Sequence, residues 1–565
     1  MRAQTGAVRS IPPLKINSDL VLDDRDKANS FNEAYAGNFV LDDGNTPTLP
    51  ANITYPECDN VTVTTSRVHS LLGLLKTSHA VGPDGFSAYF YKLLRNELCQ
   101  PLAFIFKFSI SSCTLPKSWK SARIIPIYKK GDASDPINYR PISLTCVPCK
   151  VLERIIRDHM FKHLNNHFIL SKDQFGFLPG RSTTLQLLEC MDDWTRAVDS
   201  GSPVDIIFID FAKAFDSVVH NKLFYKLHHY GFTGNLLTWI KSFLTNRTQT
   251  VCVGSSVSNA KPVISGVPQG SVLGPLLFVT YINDLNCSNE VMLPKFADDT
   301  KLYKTIQDCS DRSTLFNAIG DVVNWCNEWQ LPISFDKCKV LHVGRKNLNF
   351  NYTIGNHNLE SVSSVKDLGV VMSEDLKVSN HINTIVSSAR MRAIFIRRCF
   401  KSQNISALVR AFKVFVRPIL EYASPVWCPH LQKDIDLLES VQRRFTKLLP
   451  GMYHKSYKER LEACKLPSLE LRRLLIDLIL TYSLLHNAYD VDCSRYFNIR
   501  GCERTRGHPF KLRVNISKTD CRKFFFCNRV VNVWNQLPAS VVLAKSVSTF
   551  KRLLYTVDFS SFLTF

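Results

Sequence analysis

Two apolar runs that end in carboxylates constrain this chain more than anything else in it. Residues 204–210 read VDIIFID, a stretch of β-branched and aromatic residues with no helical period, which predicts a buried strand stopped by an acid. Residues 295–303 read KFADDTKLY, the pattern of two short strands meeting at an acidic turn. A carboxylate beside apolar neighbours that cannot solvate it asks for a counter-charge. If the two strands are neighbours, Asp210, Asp298 and Asp299 converge on one edge of a sheet. Hard oxygen ligands at that density suit magnesium, which takes one or two carboxylates per ion and completes its shell with water and substrate phosphate. Two such ions can stabilise both the attacking and the leaving oxygen of an in-line phosphoryl displacement. An isolated Asp-Asp pair is a plain turn cap in roughly nine cases of ten, so the weight of this one comes from its surroundings.

Those surroundings are globular. The 565 residues are 45% hydrophobic and 21% charged, which excludes global disorder and collagen-like repeats and predicts two to four domains. No apolar run reaches the ~18 residues of a membrane-spanning helix; the best, 474–485, is broken by Asp477. The N-terminus, MRAQTGAVRS, lacks the apolar core of a signal peptide, and the 18 scattered cysteines read as reduced intracellular thiols. Residues 1–60 read as a polar linker with one short helical patch, FNEAYAGNFV. A strand is predicted at ARIIPIY, an amphipathic helix over 150–168, and a turn at GVPQGS followed by an apolar helix. Beyond residue 377 the pattern is helical and basic. That third carries 32 basic and 13 acidic residues against 38 and 36 before it, so nearly all of the net charge of +21 lies there. Such an excess favours a polyanionic partner.

The motifs in order carry a resemblance. FADDT is similar to the X-A-D-D box of reverse transcriptases, FIDFAKAFDSVVH to their first catalytic box, and SGVPQGSVLGPLLFVTYINDL to the box between them. IIPIYKKGDASDPINYRPISLTCVPCKVLERII and QFGFLPGRSTTLQLLE complete the series upstream. The set resembles the polymerases of non-LTR (LINE-type) retrotransposons of the jockey and chicken-repeat groups, strongly over about 60–380. It continues more loosely through KLPSLELRR, RTRGHPFKL and FFFCNRVVNVWNQLP.

The resemblance implies an α+β right-hand polymerase: fingers and palm over 61–376 with an antiparallel palm sheet, a thumb-like helical region over 377–470 and a basic C-terminal segment over 471–565. It implies RNA-directed DNA synthesis with two Mg2+ ions (or Mn2+) held by Asp210, Asp298 and Asp299. It makes Phe215 the aromatic gate against a ribose 2′-hydroxyl, and sets Gln269 beside the incoming nucleotide with Gly270 allowing close backbone approach. Lys129, Lys130 and Arg140 would hold the triphosphate, and Lys337 would protonate the leaving pyrophosphate, although Ser334 stands where these elements commonly have Asn. Implied partners are an RNA template, a DNA primer or target, deoxynucleotides, and an endonuclease elsewhere in the full element; no membrane is implied. The implied compartments are cytoplasm and nucleus, and a chain starting inside a linker suggests a fragment of a longer element.

Two other readings compete: a domesticated or decayed relative that only binds nucleic acid, and an RNA-dependent RNA polymerase, against which Phe215 and the retroelement-like tail argue. Three further signals are set aside. Cys146 and Cys149 lack a second pair at zinc-ribbon spacing and read as packing. His159, His163 and His167 share a helix face read as solvated. Cys493, Cys502, Cys521 and Cys527 with His508 do not fit a zinc knuckle.

Overall fold

The computed structural model describes residues 11–16, 19–49, 54–78, 80–400, 402–500 and 508–564. They form two compact units that interleave along the chain.

The first unit comprises Met1–Phe177, Asp210–Cys287 and Gly320–Ser334. Its sheet is built on Ser121–Tyr128, the expected ARIIPIY strand, which pairs antiparallel with Tyr139–Leu144 and parallel with Arg247–Val253. The linker expected over residues 1–60 is corrected in part. Asp24–Ala36 is a helix capped by Asp23, whose carboxylate accepts from the backbone N–H groups of Arg25 and Asp26. Ala28, Phe31 and Tyr35 on one face join Leu14 in a buried cluster with Ile124, Tyr139, Val251 and Val253. Asn32 fixes that packing: its amide donates to the Asn259 carbonyl at 2.7 Å and accepts from Gln249 at 2.9 Å.

The amphipathic helix runs over Val147–Asn166. On it the solvated histidine face is corrected at His163, which is buried and bonded to the Tyr230 carbonyl at 2.9 Å; His159 is half-buried and meets the Asp59 carbonyl at 2.7 Å, and His167 is exposed. Cys146 and Cys149 are buried. The apolar helix after GVPQGS is Gly274–Tyr281, buried at every position but Pro275.

The second unit comprises Leu178–Ile209, Ser288–Ile319 and Phe335–Phe565. Its five-stranded sheet runs Glu360–Ser361, Lys339–Val343, Val204–Ile209, Asp299–Thr305, Lys295–Phe296, in that order. Val204–Ile209 sits at the centre, antiparallel to both neighbours, which explains why its sequence is almost continuously apolar. The one acid inside it, Asp205, is buried and satisfied by His342 (2.7 Å), Asn347 (2.8 Å) and the Tyr352 hydroxyl (2.6 Å). From Ser379 onward the unit is helical, through Ser379–Cys399, Ile405–Phe415, Gln432–Lys447 and Leu469–Leu485. Asp477, in the last of these, is buried against Arg529, which holds both its oxygens at 2.8 and 3.0 Å. No helix among the described residues is long and apolar enough to cross a membrane.

Candidate active site

The acidic turn forms as the sequence predicts. Asp299 pairs with Phe296 and Thr300 with Lys295, leaving Ala297 and Asp298 as a two-residue hairpin loop. Ala297 sits at φ 56°, the left-handed region that such a loop requires at its first position and that glycine usually fills. A side chain there costs roughly 1–2 kcal/mol, and strain of this kind concentrates at functional sites. Asp298 is half-buried and Asp299 exposed. In the same sheet Thr300 is the partner of Ile209, and Asp210, half-buried, is the residue after Ile209.

Beyond Asp210 the chain is pinned within the first unit. The Ser334 N–H donates to the Asp210 carbonyl and the Ala212 N–H to the Pro332 carbonyl, both at 2.8 Å. Ser334 thus contributes its backbone here. Lys337 follows three residues later, exposed in the short turn Phe335–Lys337 of the second unit.

Phe215 is half-buried and stacked on Phe278, with ring centroids 4.4 Å apart. Its carbonyl accepts from the Val267 N–H at 2.8 Å, and Asp216 accepts from Ser265 Oγ through its carbonyl (2.7 Å) and from Gln269 Nε2 through its carboxylate (2.9 Å). Phe215, Gln269 and Gly270 are therefore brought together. Burial pushes the Asp216 carboxyl up to about 6, while the Gln269 bond and Lys213 pull the other way. A cavity opens beside these residues, lined among others by Tyr35, Ser143, Asp216, Arg247 and Gln269. The Tyr35 hydroxyl and Arg247 Nη2 in its wall are buried without a hydrogen-bond partner.

The backbone that approaches Gly270 closely in the fold is that of Ser143. At φ 116° a Cβ would lie 2.5 Å from the Ser143 carbonyl oxygen, while the Ser143 N–H donates to the Gln269 carbonyl at 2.8 Å. The GVPQGS turn is thereby fastened to the Tyr139–Leu144 strand. Glu153, buried on the long helix, accepts from the N–H groups of Val272 (2.7 Å) and Leu273 (3.0 Å) and fixes the turn's other end. Asp216 and Glu153 were missed from sequence. Asp216 carried a signal, an acid directly after the aromatic of the first catalytic box; Glu153 carried none, since it looks like any helix acid.

Lys129, Lys130 and Arg140 gather at the loop end of the hairpin formed by Ser121–Tyr128 and Tyr139–Leu144. Arg140 is the partner of Ile127, and the Lys129 N–H donates to the Asn138 carbonyl at 2.9 Å. All three side chains are exposed, as groups meeting a soluble polyanion must be.

Among the described residues no three His, Cys, Asp or Glu side chains lie together as a ready metal cage. Cys502 lies outside the described residues, and His508 is bonded to the Trp534 carbonyl at 3.1 Å. Magnesium needs no such cage: one or two carboxylates suffice where water and phosphate can reach the ion. The all-oxygen donors of the acidic turn, one half-buried and one exposed, fit that requirement.

Residues 127–372 match the family described as reverse transcriptase (RNA-dependent DNA polymerase). The RNA-directed DNA polymerase from mobile element jockey of Drosophila melanogaster is 28% identical over 403 residues, covering 69% of this chain and 44% of the relative. The probable RNA-directed DNA polymerase from transposon X-element of the same species is 26% identical over 383 residues, covering 66% and 42%. The Retrovirus-related Pol polyprotein from type-1 retrotransposable element R2 of Popillia japonica is 29% identical over 177 residues, covering 31% and 24%. The chain spans less than half the length of the curated relatives it matches. Residues 127–372 are a reverse transcriptase domain of the type found in non-LTR retrotransposons.

Proposed function

We propose that the chain is an RNA-directed DNA polymerase, in which a primer 3′-hydroxyl attacks the α-phosphate of a deoxynucleotide paired to an RNA template. What carries the reading is a register: Ile209 pairs with Thr300, so the exit of the central strand into Asp210 and the acidic turn share one end of adjacent strands. Asp210, Asp298 and Asp299 would hold two magnesium or manganese ions, whose charge eases deprotonation of the attacking hydroxyl and balances the leaving pyrophosphate. The chain's own groups do the rest. Lys129 and Lys130 act as point charges on the triphosphate and Arg140 as a bidentate donor. Phe215, braced by Phe278, fills the space a 2′-hydroxyl needs. Gln269, with its amide fixed by Asp216, lies against the nucleotide, with Gly270 holding the turn in place. Lys337 gives a proton to the pyrophosphate.

In this reading the chain folds as a right hand, with an N-terminal extension over 1–60, fingers and palm over 61–376, a thumb over 377–470 and a basic C-terminal segment over 471–565. Its partners are the RNA template, a DNA primer or nicked target, and an endonuclease carried elsewhere in the full element; it works in the cytoplasm and nucleus. The test is Asp298→Asn, which keeps the shape and removes a ligand charge. Extension of a primed RNA template is expected to fall at least ~100-fold, with primer–template binding unchanged. Extension at the parental rate contradicts the assignment.

A further inference from the structure

The strand that carries the acidic turn is held from a place far outside the reverse transcriptase domain. Asp299, Lys301 and Tyr303 alternate onto one face of Asp299–Thr305. On its outer side this strand pairs with the two-residue strand Lys295–Phe296 and, further from the turn, through the Lys301 N–H to the Pro294 carbonyl and a single bridge between Tyr303 and Met292, so backbone pairing there is short and broken. Side chains supply what is missing. Lys301 is buried in an ion pair with Asp367. Tyr303, also buried, donates its hydroxyl to Asp193 Oδ2 at 2.6 Å and sets its ring edge-on to Trp194, with centroids 5.7 Å apart.

Asp193 stands on the helix Thr183–Ser200, and its second oxygen is taken by Arg495 Nη2 at 2.5 Å. Arg495 is itself fixed. Its guanidinium donates to the Glu189 carbonyl at 3.3 Å and its own carbonyl accepts from Arg196 at 3.2 Å. The short turn that bears it, Cys493–Arg495, is capped by Asp492. Two further contacts tie the same segment to the same helix: Arg522 Nη1 pairs with Asp192 at 2.7 Å, and Asp199 accepts from the Lys518 and Thr519 N–H groups. One carboxylate therefore splits its oxygens between the C-terminal segment and the strand of the acidic turn.

We propose that Arg495 is a positioning residue for the acidic turn, acting through Asp193 and the Tyr303 hydroxyl. Asp193 is partly open to water, so losing Arg495 leaves the carboxylate solvated but no longer aimed. Its hold on Tyr303 loosens, and the fold survives. Burial and the neighbouring carboxylate push the Tyr303 phenol well up, so it remains a donor at every working pH. The inference rests on the polymerase reading for its consequence, and not for the linkage itself.

Three variants of the full chain test it: Tyr303→Phe, which deletes one hydroxyl and keeps the ring; Arg495→Ala; and both together. Hydrogen exchange over residues 295–305 in metal-free protein is expected to quicken about tenfold in each, the worth of one hydrogen bond to a charged group. Exchange in Arg247–Val253 should stay parental. Nucleotide addition is expected to lose about as much in kcat, with the deoxynucleotide KM and primer–template affinity unchanged. The double variant should be no worse than either single one, because both break one linkage. Arg495→Lys, which keeps a charge on Asp193, should recover most of the loss. Parental exchange over 295–305 in Tyr303→Phe, or losses that multiply in the double variant, overturns the proposal. A folded parent that adds no nucleotide sinks the polymerase reading instead, and exchange still judges the linkage.

Discussion

Asp216 joins the aromatic Phe215 to the GVPQGS turn, and its burial makes the join pH-dependent. With its carboxyl pushed up to about 6 from 3.8, the folded chain keeps a proton that the unfolded chain releases. Stability therefore falls as the pH rises between those values, by up to about 3 kcal/mol, and flattens above them. Asp216→Asn can still accept from Gln269 but carries no charge to bury. Denaturant melts across this range should show the variant matching the parent at about pH 4 and exceeding it at about pH 7. Equal slopes for the two proteins would mean that Asp216 is not buried as described. The same residue shows why sequence reading falls short at this scale. Phe215, Gln269 and Gly270 were legible as motif members, but the atoms that hold them, the Asp216 carboxylate and the Ser143 carbonyl, were not. A hydrogen bond between distant motifs leaves no local pattern.

Among the elements, the helix Asp24–Ala36 departs furthest from expectation. Its composition is polar, and only Ala28, Phe31 and Tyr35 mark an apolar stripe, too sparse to outweigh the Asn and Asp around them. Its partners, Ile124, Tyr139, Val251 and Val253, lie far along the chain. Phe31 is fully buried, edge-on to Tyr139 with centroids 4.9 Å apart. Phe31→Ala is therefore expected to cost about 3–5 kcal/mol, read as a lowered midpoint in denaturant; a linker residue would cost almost nothing. The central strand and the acidic hairpin were legible for the opposite reason. Their evidence is local, in an unbroken β-branched run and a turn with strands on either side. The histidines of Val147–Asn166 mislead because i, i+4 spacing names a face without saying what covers it, and at His163 the cover is Tyr230.

For the whole molecule, charge counts overstate how much of the C-terminal third can meet a polyanion. Arg472, Arg495, Arg522 and Arg529 are paired with Glu421, Asp193, Asp192 and Asp477, and Arg473 is buried. Arg522 reaches a carboxylate 330 residues earlier, a pairing no sequence window contains. The cations left outward include Arg390, Arg392, Arg397 and Arg398 on Ser379–Cys399, beside the exposed Met391 and Phe395, a surface that suits phosphates and bases alike. The measurement that bears most directly on the molecule is primer extension by the purified chain on a DNA-primed RNA template with deoxynucleotides and magnesium. A DNA product that copies the template to its end is the expected result. A chain that melts cooperatively and binds the primed template, yet adds no nucleotide with magnesium or manganese, contradicts it.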